Sequence, residues 1–361
     1  MDIYKNARKA CLLLEDGSLI QGYSVGSTED AYGELVFNTS VVGFQQLLTD
    51  PANENNILVD TFPMLGNYGV VEGEDDLSAC HAAAVVVRDW CPTPSNYRST
   101  GSIDQWLEQK GITGLFGVDT RALTRKLRDG GVMKALITCK EINDSNKEEF
   151  LERIRDHQDK TPYWKNKNEL EISPVSGKKA LIYDLGARAD VIAALNARGF
   201  STIAVPAAMS AEEILSQEPD CIVICGGWAG DWDLSTEKKT IAELEKSGVP
   251  MLGIGLGHQL MAELAGGKVE KMKVGHRGAN CPVTELSSGR TFITSQNHGY
   301  VVASVCSSKA QITHVNSNDK SCEGLRYLDF PGMSVQFVPE SETGRKNFDH
   351  VYETFLNLLE K

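Results

Sequence analysis

Position 255 is where the sequence prepares for chemistry and then withholds the reagent. The run Val249-Pro250-Met251-Leu252-Gly253-Ile254-Gly255-Leu256-Gly257-His258-Gln259-Leu260 reads as an apolar strand turning through small residues into a helix that carries Leu260, Met261 and Leu264. A strand-turn-helix of this kind lifts its central side chain out of the sheet on a strained backbone, which is how a nucleophile is presented to a carbonyl. Glycines two positions to either side let the chain bend. The residue at the tip is Gly255, which has no side chain to attack with. A dinucleotide loop is another reading of glycines after a strand. It fails here, because Gly255-Leu256-Gly257-His258-Gln259-Leu260 lacks the third glycine and does not open a βαβ series. A tight turn with no chemistry therefore stays open for this segment.

Other groups able to do chemistry lie nearby in sequence. Cys225 and Cys281 offer thiols, and His258, His276 and His298 offer bases. A replacement nucleophile would have to stand about 3–3.5 Å from a substrate carbonyl, and nothing in the spacing places either thiol there. The nine cysteines, at 11, 80, 91, 139, 221, 225, 281, 306 and 322, are scattered and include no Cys-x-x-Cys pair. They read as reduced thiols acting as small hydrophobes, with no structural zinc and no metal expected.

The elements that must position these groups fall into two regimes. After residue 180 apolar strands alternate with amphipathic helices: strands at 180–183, 202–205, 221–225 and 250–254, helices at 190–198, 211–217 and 236–247. Ser210 and Glu213 form a capping box before the second helix. This grammar predicts a mainly parallel sheet flanked by helices, with ligands bound beyond the carboxyl ends of its strands, at the loops after 183, 225 and 254. Before residue 160 the pattern is α+β. Cys11–Glu15 and Ser18–Gly22 around Asp16-Gly17 predict a hairpin with a tight two-residue turn. Further strands are expected at 35–40 and 82–87 and helices at 102–110 and 120–128. The polar stretch 161–179, with Pro162, Pro174 and Gly177, predicts a linker between domains 1–160 and 180–361.

Composition narrows the function classes. A chain of 361 residues exceeds what one hydrophobic core usually holds. Its net charge of −13 and lack of basic runs exclude sequence-independent nucleic-acid binding. No apolar run approaches the roughly 20 residues of a membrane span, and the N-terminus lacks a signal-peptide core, so a cytoplasmic protein is expected.

Gly253–Gln259 resembles the Gly-Ile-Cys-Leu-Gly-His-Gln elbow of class I glutamine amidotransferases, with Gly255 in the place of the cysteine. Lys271–Asn280 with Pro282-Val283, Thr294–Tyr300 and Tyr183–Arg188 are similar to blocks of the small, glutaminase subunit of carbamoyl-phosphate synthase. The first half agrees through Gly33–Ser40, Thr49-Asp50-Pro51, Gly66-Asn67-Tyr68-Gly69 and Asp119–Arg128. The resemblance implies an N-terminal α+β small-subunit domain followed by a class I amidotransferase domain. It also implies a partner, the large synthetase subunit, and no cofactor in this chain.

Measured against the acyl transfer that the resemblance implies, the catalytic set is depleted. Gly255 stands at the nucleophile position and Val338 at the base position, and of that block only the orienting carboxylate Glu340 remains. The oxyanion loop, Asn-Gly-Pro-Gly-Asp-Pro in the family, reads Gly226-Gly227-Trp228-Ala229-Gly230-Asp231. Gly227 aligns with one glycine, and Ala229 or Gly230 stands for the second. A glutamine-contacting serine after Asp-Pro is Ala52. Leu256, Gln259, Asn297, Gly299 and Tyr300 occupy glutamine-contact positions, which packing explains equally well, with Asn297-His298-Gly299 readable as an ordinary turn. The joint losses read as a naturally degenerate site. The leading expectation is a glutaminase-deficient small subunit, a structural or regulatory partner in ammonia-dependent carbamoyl phosphate synthesis, with residual glutamine binding open. The alternatives are an active glutamine-hydrolysing component, which needs a nucleophile not found, and a repurposed binding protein with Trp228, Asp231, Trp232 and Asp233 reshaping the pocket.

Overall fold

The computed structural model describes residues 4–5, 7–72, 79–168, 171–173, 177–227, 230, 232–339 and 349–360. The chain forms two compact units, Met1–Lys160 and Thr161–Lys361.

The first unit is built from strands β1 (Lys9–Leu14), β2 (Leu19–Gly26), β3 (Ala31–Asn38), β4 (Asn56–Asp60), a short β5 (Met64–Leu65), β6 (Ala84–Val86), a short β7 (Asp89–Trp90), β8 (Thr113–Phe116) and β9 (Met133–Thr138). A closed barrel runs β1-β2-β8-β6-β4-β3-β9. Helices α1 (Phe44–Thr49), α2 (Ile103–Gln109), α3 (Thr120–Gly130) and α4 (Lys147–Asp156) complete it. Alternation along β1 explains why both its faces are apolar. Leu12 and Leu14 join Leu35, Ile57 and Val86 and the α3 residues Leu123 and Leu127, while Cys11 and Leu13 pack against Phe150, Leu151 and Ile154 of α4. The first hairpin departs from the two-residue expectation. Leu14 N donates to Ser18 O at 2.9 Å and Gly17 N to Leu14 O at 2.9 Å, so Glu15-Asp16-Gly17 form a three-residue loop. Gly17 takes φ +85, the left-handed residue such loops require.

Asp60 ends β4 beside Phe62, Met64 and Tyr68 in an apolar cleft. Burial pushes its pKa up to about 6, opposed by a backbone bond from Phe62 N. A carboxyl raised above its unfolded value near 3.8 holds a proton in the folded state that the unfolded chain has released. The stability it costs therefore grows as pH rises from about 4 to 6. Asp60→Asn keeps the acceptor for Phe62 N. It is expected to stabilise the first unit by about 1–3 kcal/mol at pH 7 and by little at pH 4, as read from urea unfolding at both pH values.

The second unit contains β10 (Glu171–Ser173), β11 (Lys179–Leu185), β12 (Ser201–Pro206), β13 (Cys221–Gly226), β14 (Met251–Gly255), β15 (Lys268–Glu285), β16 (Thr291–Ser304), β17 (Ala310–Asn316), β18 (Cys322–Tyr327) and β19 (Gly332–Val335). Its helices are α5 (Ala189–Ala197), α6 (Ala211–Leu215), α7 (Ser235–Glu245), α8 (Leu256–Leu264) and α9 (Asp349–Leu356). The sheet order is β10-β12-β11-β13-β14-β19-β18-β16-β15-β17. Strands β12, β11, β13, β14 and β19 are parallel, and the rest of the sheet is antiparallel. Successive residues of β11 alternate between two cores. Leu181, Tyr183 and Leu185 meet Ile214, Ile241 and Leu260 of α6, α7 and α8. Ala180 and Ile182 meet Leu195 of α5 and Tyr352 and Phe355 of α9. Helices on both faces are what turn these strands into continuous apolar runs. The Ser210–Glu213 capping box forms, with Ser210 N donating to Glu213 Oε2 at 2.9 Å.

Within the stretch 161–179, expected as a linker, Tyr163–Asn166 form a short 3-10 turn and Glu171–Ser173 a strand of this unit. Trp164 is fully buried in the core beside Tyr183. Lys165 Nζ pairs with the buried Glu237 Oε1 at 3.0 Å, and Lys167 Nζ pairs with Asp184 Oδ2 at 2.9 Å. Strand β10 adds an antiparallel edge to β12. The polar composition that suggested a linker supplies cations for a buried carboxylate of α7 and one of β11.

Candidate functional site

Three parallel strands end side by side at the elbow. β13 and β14 pair so that Gly226 stands opposite Gly255, and β19 lies on the other side of β14 with Val335 opposite Ile254. The loops that follow them carry Gly227, the start of α8 and Val338. Sheet order thus places the positions expected to hold an oxyanion donor and a nucleophile side by side, and the position expected to hold a base in the segment after β19.

The elbow itself is built around glycine. Gly255 caps α8 with φ 59 and ψ −111, a conformation L side chains avoid. A Cβ at this position would lie 2.5 Å from the Gly226 carbonyl oxygen. Neighbouring Gly257 is required for a different reason: a side chain there would strike the Ile224 carbonyl of β13, so α8 packs directly on the sheet. Gly227 N donates to Leu185 O at 3.3 Å, which spends its N–H on the neighbouring strand. Trp228, Ala229 and Asp231 lie outside the described residues.

Val338 is half-buried and forms a bridge with Ser295 of β16, its N donating to Ser295 O at 3.2 Å. Glu340 lies outside the described residues. Leu256 is buried in the core shared by α6, α7 and α8. Gln259, one turn on, donates from Nε2 to Gln336 Oε1 at 3.0 Å and to Tyr300 O at 3.4 Å. Asn297, Gly299 and Tyr300 lie within β16, where Asn297 faces Arg277 and Tyr300 faces Lys271 of β15. The ordinary-turn reading of Asn297-His298-Gly299 is therefore corrected: the residues are mid-strand, and the polar, glycine-containing composition that suggested a turn is accommodated by an irregular ladder. A Cβ on Gly299 would come 3.0 Å from Arg277 Nη2, so the strand also leaves room for a guanidinium. Ala52 belongs to the first unit, half-buried in a short 3-10 turn, Pro51–Asn53, where its N donates to Asp50 Oδ1 at 2.8 Å.

Neither thiol considered as a substitute is poised to react. Burial pushes Cys225 up to about 12 and Cys281 up to about 11, away from the thiolate that attack requires. His258 is fully buried with Nδ1 2.8 Å from Ser334 Oγ, and burial pushes its pKa down to about 3, so it stays neutral inside the core. None of the nine cysteines forms a disulfide.

Two family descriptions divide the chain between them. Carbamoyl-phosphate synthase small chain, CPSase domain, matches residues 12–137, and glutamine amidotransferase class-I matches residues 181–358. The carbamoyl phosphate synthase small chain of Fusobacterium nucleatum is 37% identical over 353 residues, covering 97% of this chain and 98% of that one. The small chain of Lactococcus lactis is 38% identical over 357 residues, covering 98% of each. The pyrimidine-specific small chain of Bacillus subtilis is 36% identical over 362 residues, covering 98% of this chain and 96% of that one. The chain belongs to the carbamoyl-phosphate synthase small-chain family.

This small-chain family couples a class I glutamine amidotransferase to ammonia supply for carbamoyl phosphate synthesis. Within that frame Gly226, which the sequence shows only as the first residue of the oxyanion-loop block, takes a further role. Its carbonyl closes on position 255, and only the parallel pairing of β13 with β14 reveals this. Gln336 was visible in sequence but carried no assigned role; the structure makes it the partner of Gln259. No helix among the described residues is long and apolar enough to cross a membrane.

Proposed function

We propose that this small chain is a glutaminase-deficient partner of a large synthetase subunit, holding that subunit in its working form while ammonia comes from solution. The observation that carries this reading is the elbow. Gly255 offers no sulfur, and the Gly226 carbonyl oxygen lies 2.5 Å from where a Cβ would stand. The aliphatic Val338 supports it, since no imidazole stands at the base position. Similarity over nearly the whole length of carbamoyl phosphate synthase small chains, including the unit that carries no part of the elbow, supports retention of the partnership.

The test is co-expression with a large chain from the same genome. The two chains are expected to co-elute in gel filtration, and the complex to make carbamoyl phosphate from ammonium, bicarbonate and ATP. Replacing ammonium by glutamine should remove synthesis. Glutamine-driven synthesis at a rate near the ammonium rate would end the glutaminase-deficient reading, and failure to co-elute would end the partnership.

A further inference from the structure

A histidine pair and a buried carboxylate meet on the antiparallel side of the second unit. His276 of β15 stands opposite His298 of β16, and their rings lie edge to face with centroids 5.0 Å apart. Glu323 of β18 is fully buried. Its Oε1 accepts one long bond from Asn316 Nδ2 at 3.3 Å, and its Oε2 has no hydrogen-bond partner among the described residues. An oxygen left bare on a buried carboxylate is costly, and such groups are paired or coordinate metals.

The donor geometry suits an ion. His276 Nε2 lies 2.9 Å from Asp319 Oδ2, which holds the ring and, when it is neutral, leaves Nδ1 as the lone-pair nitrogen. That Nδ1 is 3.5 Å from Glu323 Oε1, long for a hydrogen bond. In a tetrahedral site with bonds near 2.0–2.2 Å, adjacent donors stand about 3.4 Å apart. His298 adds its own mismatch. A neutral imidazole carries one N–H. Both nitrogens nevertheless face oxygens, Tyr300 O at 2.8 Å and Gln296 Oε1 at 2.9 Å. As the Gln296 amide stands, one nitrogen turns a lone pair toward an acceptor. One ligand atom from each of His276, His298 and Glu323 lies within 4.8 Å of the other two.

We propose that His276, His298 and Glu323 bind a divalent metal ion of the zinc class, with Asp319 supporting His276 and water completing the coordination. Two imidazoles select zinc-like ions over magnesium or calcium, which take oxygen donors. The Arg277 guanidinium, on the strand opposite Asn297, opposes a cation there by its charge; the Glu323 and Asp319 carboxylates offset it. The ion would tie β15, β16 and β18 together and fix the segment of β16 that presents Asn297 and Gly299. The inference is independent of the glutaminase reading, because none of its donors is Gly255 or Val338. It also explains why the scattered cysteines revealed no metal site: the donors are histidine and glutamate, gathered by strand pairing.

The purified full chain, stripped with EDTA and dialysed against Zn²⁺, is expected to retain about one equivalent by elemental analysis. His276→Asn combined with Glu323→Gln should lose that equivalent. Cobalt substitution should give visible d–d absorption in the wild type and none in the double variant. Asp319→Asn, at a partly exposed position, should weaken Zn²⁺ binding about 10–100-fold against a chromophoric chelator. It keeps the test valid should the double variant fail to fold. His350→Ala alters the separate Glu285–His314–His350 group and should change nothing. No retained equivalent in the wild type, or unchanged affinity in Asp319→Asn, overturns the proposal in favour of a plain His276–Asp319–Glu323 ion pair.

Discussion

Glutamine incubated with the purified chain, alone or with a large subunit, is expected to yield glutamate on the order of 10⁶-fold more slowly than with an intact member of the family. Acyl transfer to a thiolate needs the sulfur, a base to manage its proton and N–H donors for the oxyanion. In a triad that acts as a unit, loss of the nucleophile alone already removes nearly all the acceleration. On the proposed reading Gly255 leaves no nucleophile and Val338 no base, while Gly227 N is bonded to Leu185 O. The thiols nearest in sequence to the site blocks, Cys225 and Cys281, are held protonated by burial. A coupled glutamate assay with a glutamine-dependent rate within a hundredfold of an intact relative would reveal a nucleophile elsewhere. Trapping a thioester would locate it.

Restoring the cysteine is expected to damage the fold before it restores activity. Gly255→Cys places a Cβ 2.5 Å from the Gly226 carbonyl oxygen, on a backbone at φ 59. Strain at a φ avoided by L residues and displacement of packed backbone together cost about 4 kcal/mol. That corresponds to a fall in Tm of roughly 8–16 °C for a domain of this size. The obstacle is the Cβ and not the sulfur, so Gly255→Ala should lose nearly as much. The same carbonyl would face the new thiol and disfavour its thiolate. Gly255→Cys with Val338→His is therefore expected to remain far below an intact relative, since the Gly226 and Gly227 peptides still point the wrong way. Calorimetry of the three variants checks the first claim and the glutamate assay the second. A Cys variant as stable as the wild type would show that the β13 carboxyl end opens readily, and the elbow would then be repairable.

Features set by neighbours in sequence were readable without coordinates. The Ser210–Glu213 capping box, the β11–α5–β12–α6–β13–α7–β14–α8 order and the turn at Gly255 each follow from periodicity or local backbone chemistry. The hairpin after β1 was placed correctly but one loop residue short, because an Asp-Gly pair serves both two- and three-residue loops. Within 161–179, composition alone cannot show that Trp164 fills a core or that Lys165 and Lys167 answer buried carboxylates. Strands β15 and β16 were harder. Lys268–Glu285 is polar and half-exposed with breaks in register, so neither alternation nor a continuous apolar run marks it.

Residue identity alone determined that position 255 carries no thiol and position 338 no imidazole. Only the tertiary structure decided what stands in its place. The Gly226 carbonyl reaches position 255 through the pairing of parallel strands 29 residues apart in sequence. His276, His298 and Glu323 converge only because three antiparallel strands run side by side. Both are non-local contacts, and their geometry depends on sheet order and register, which local propensity leaves open.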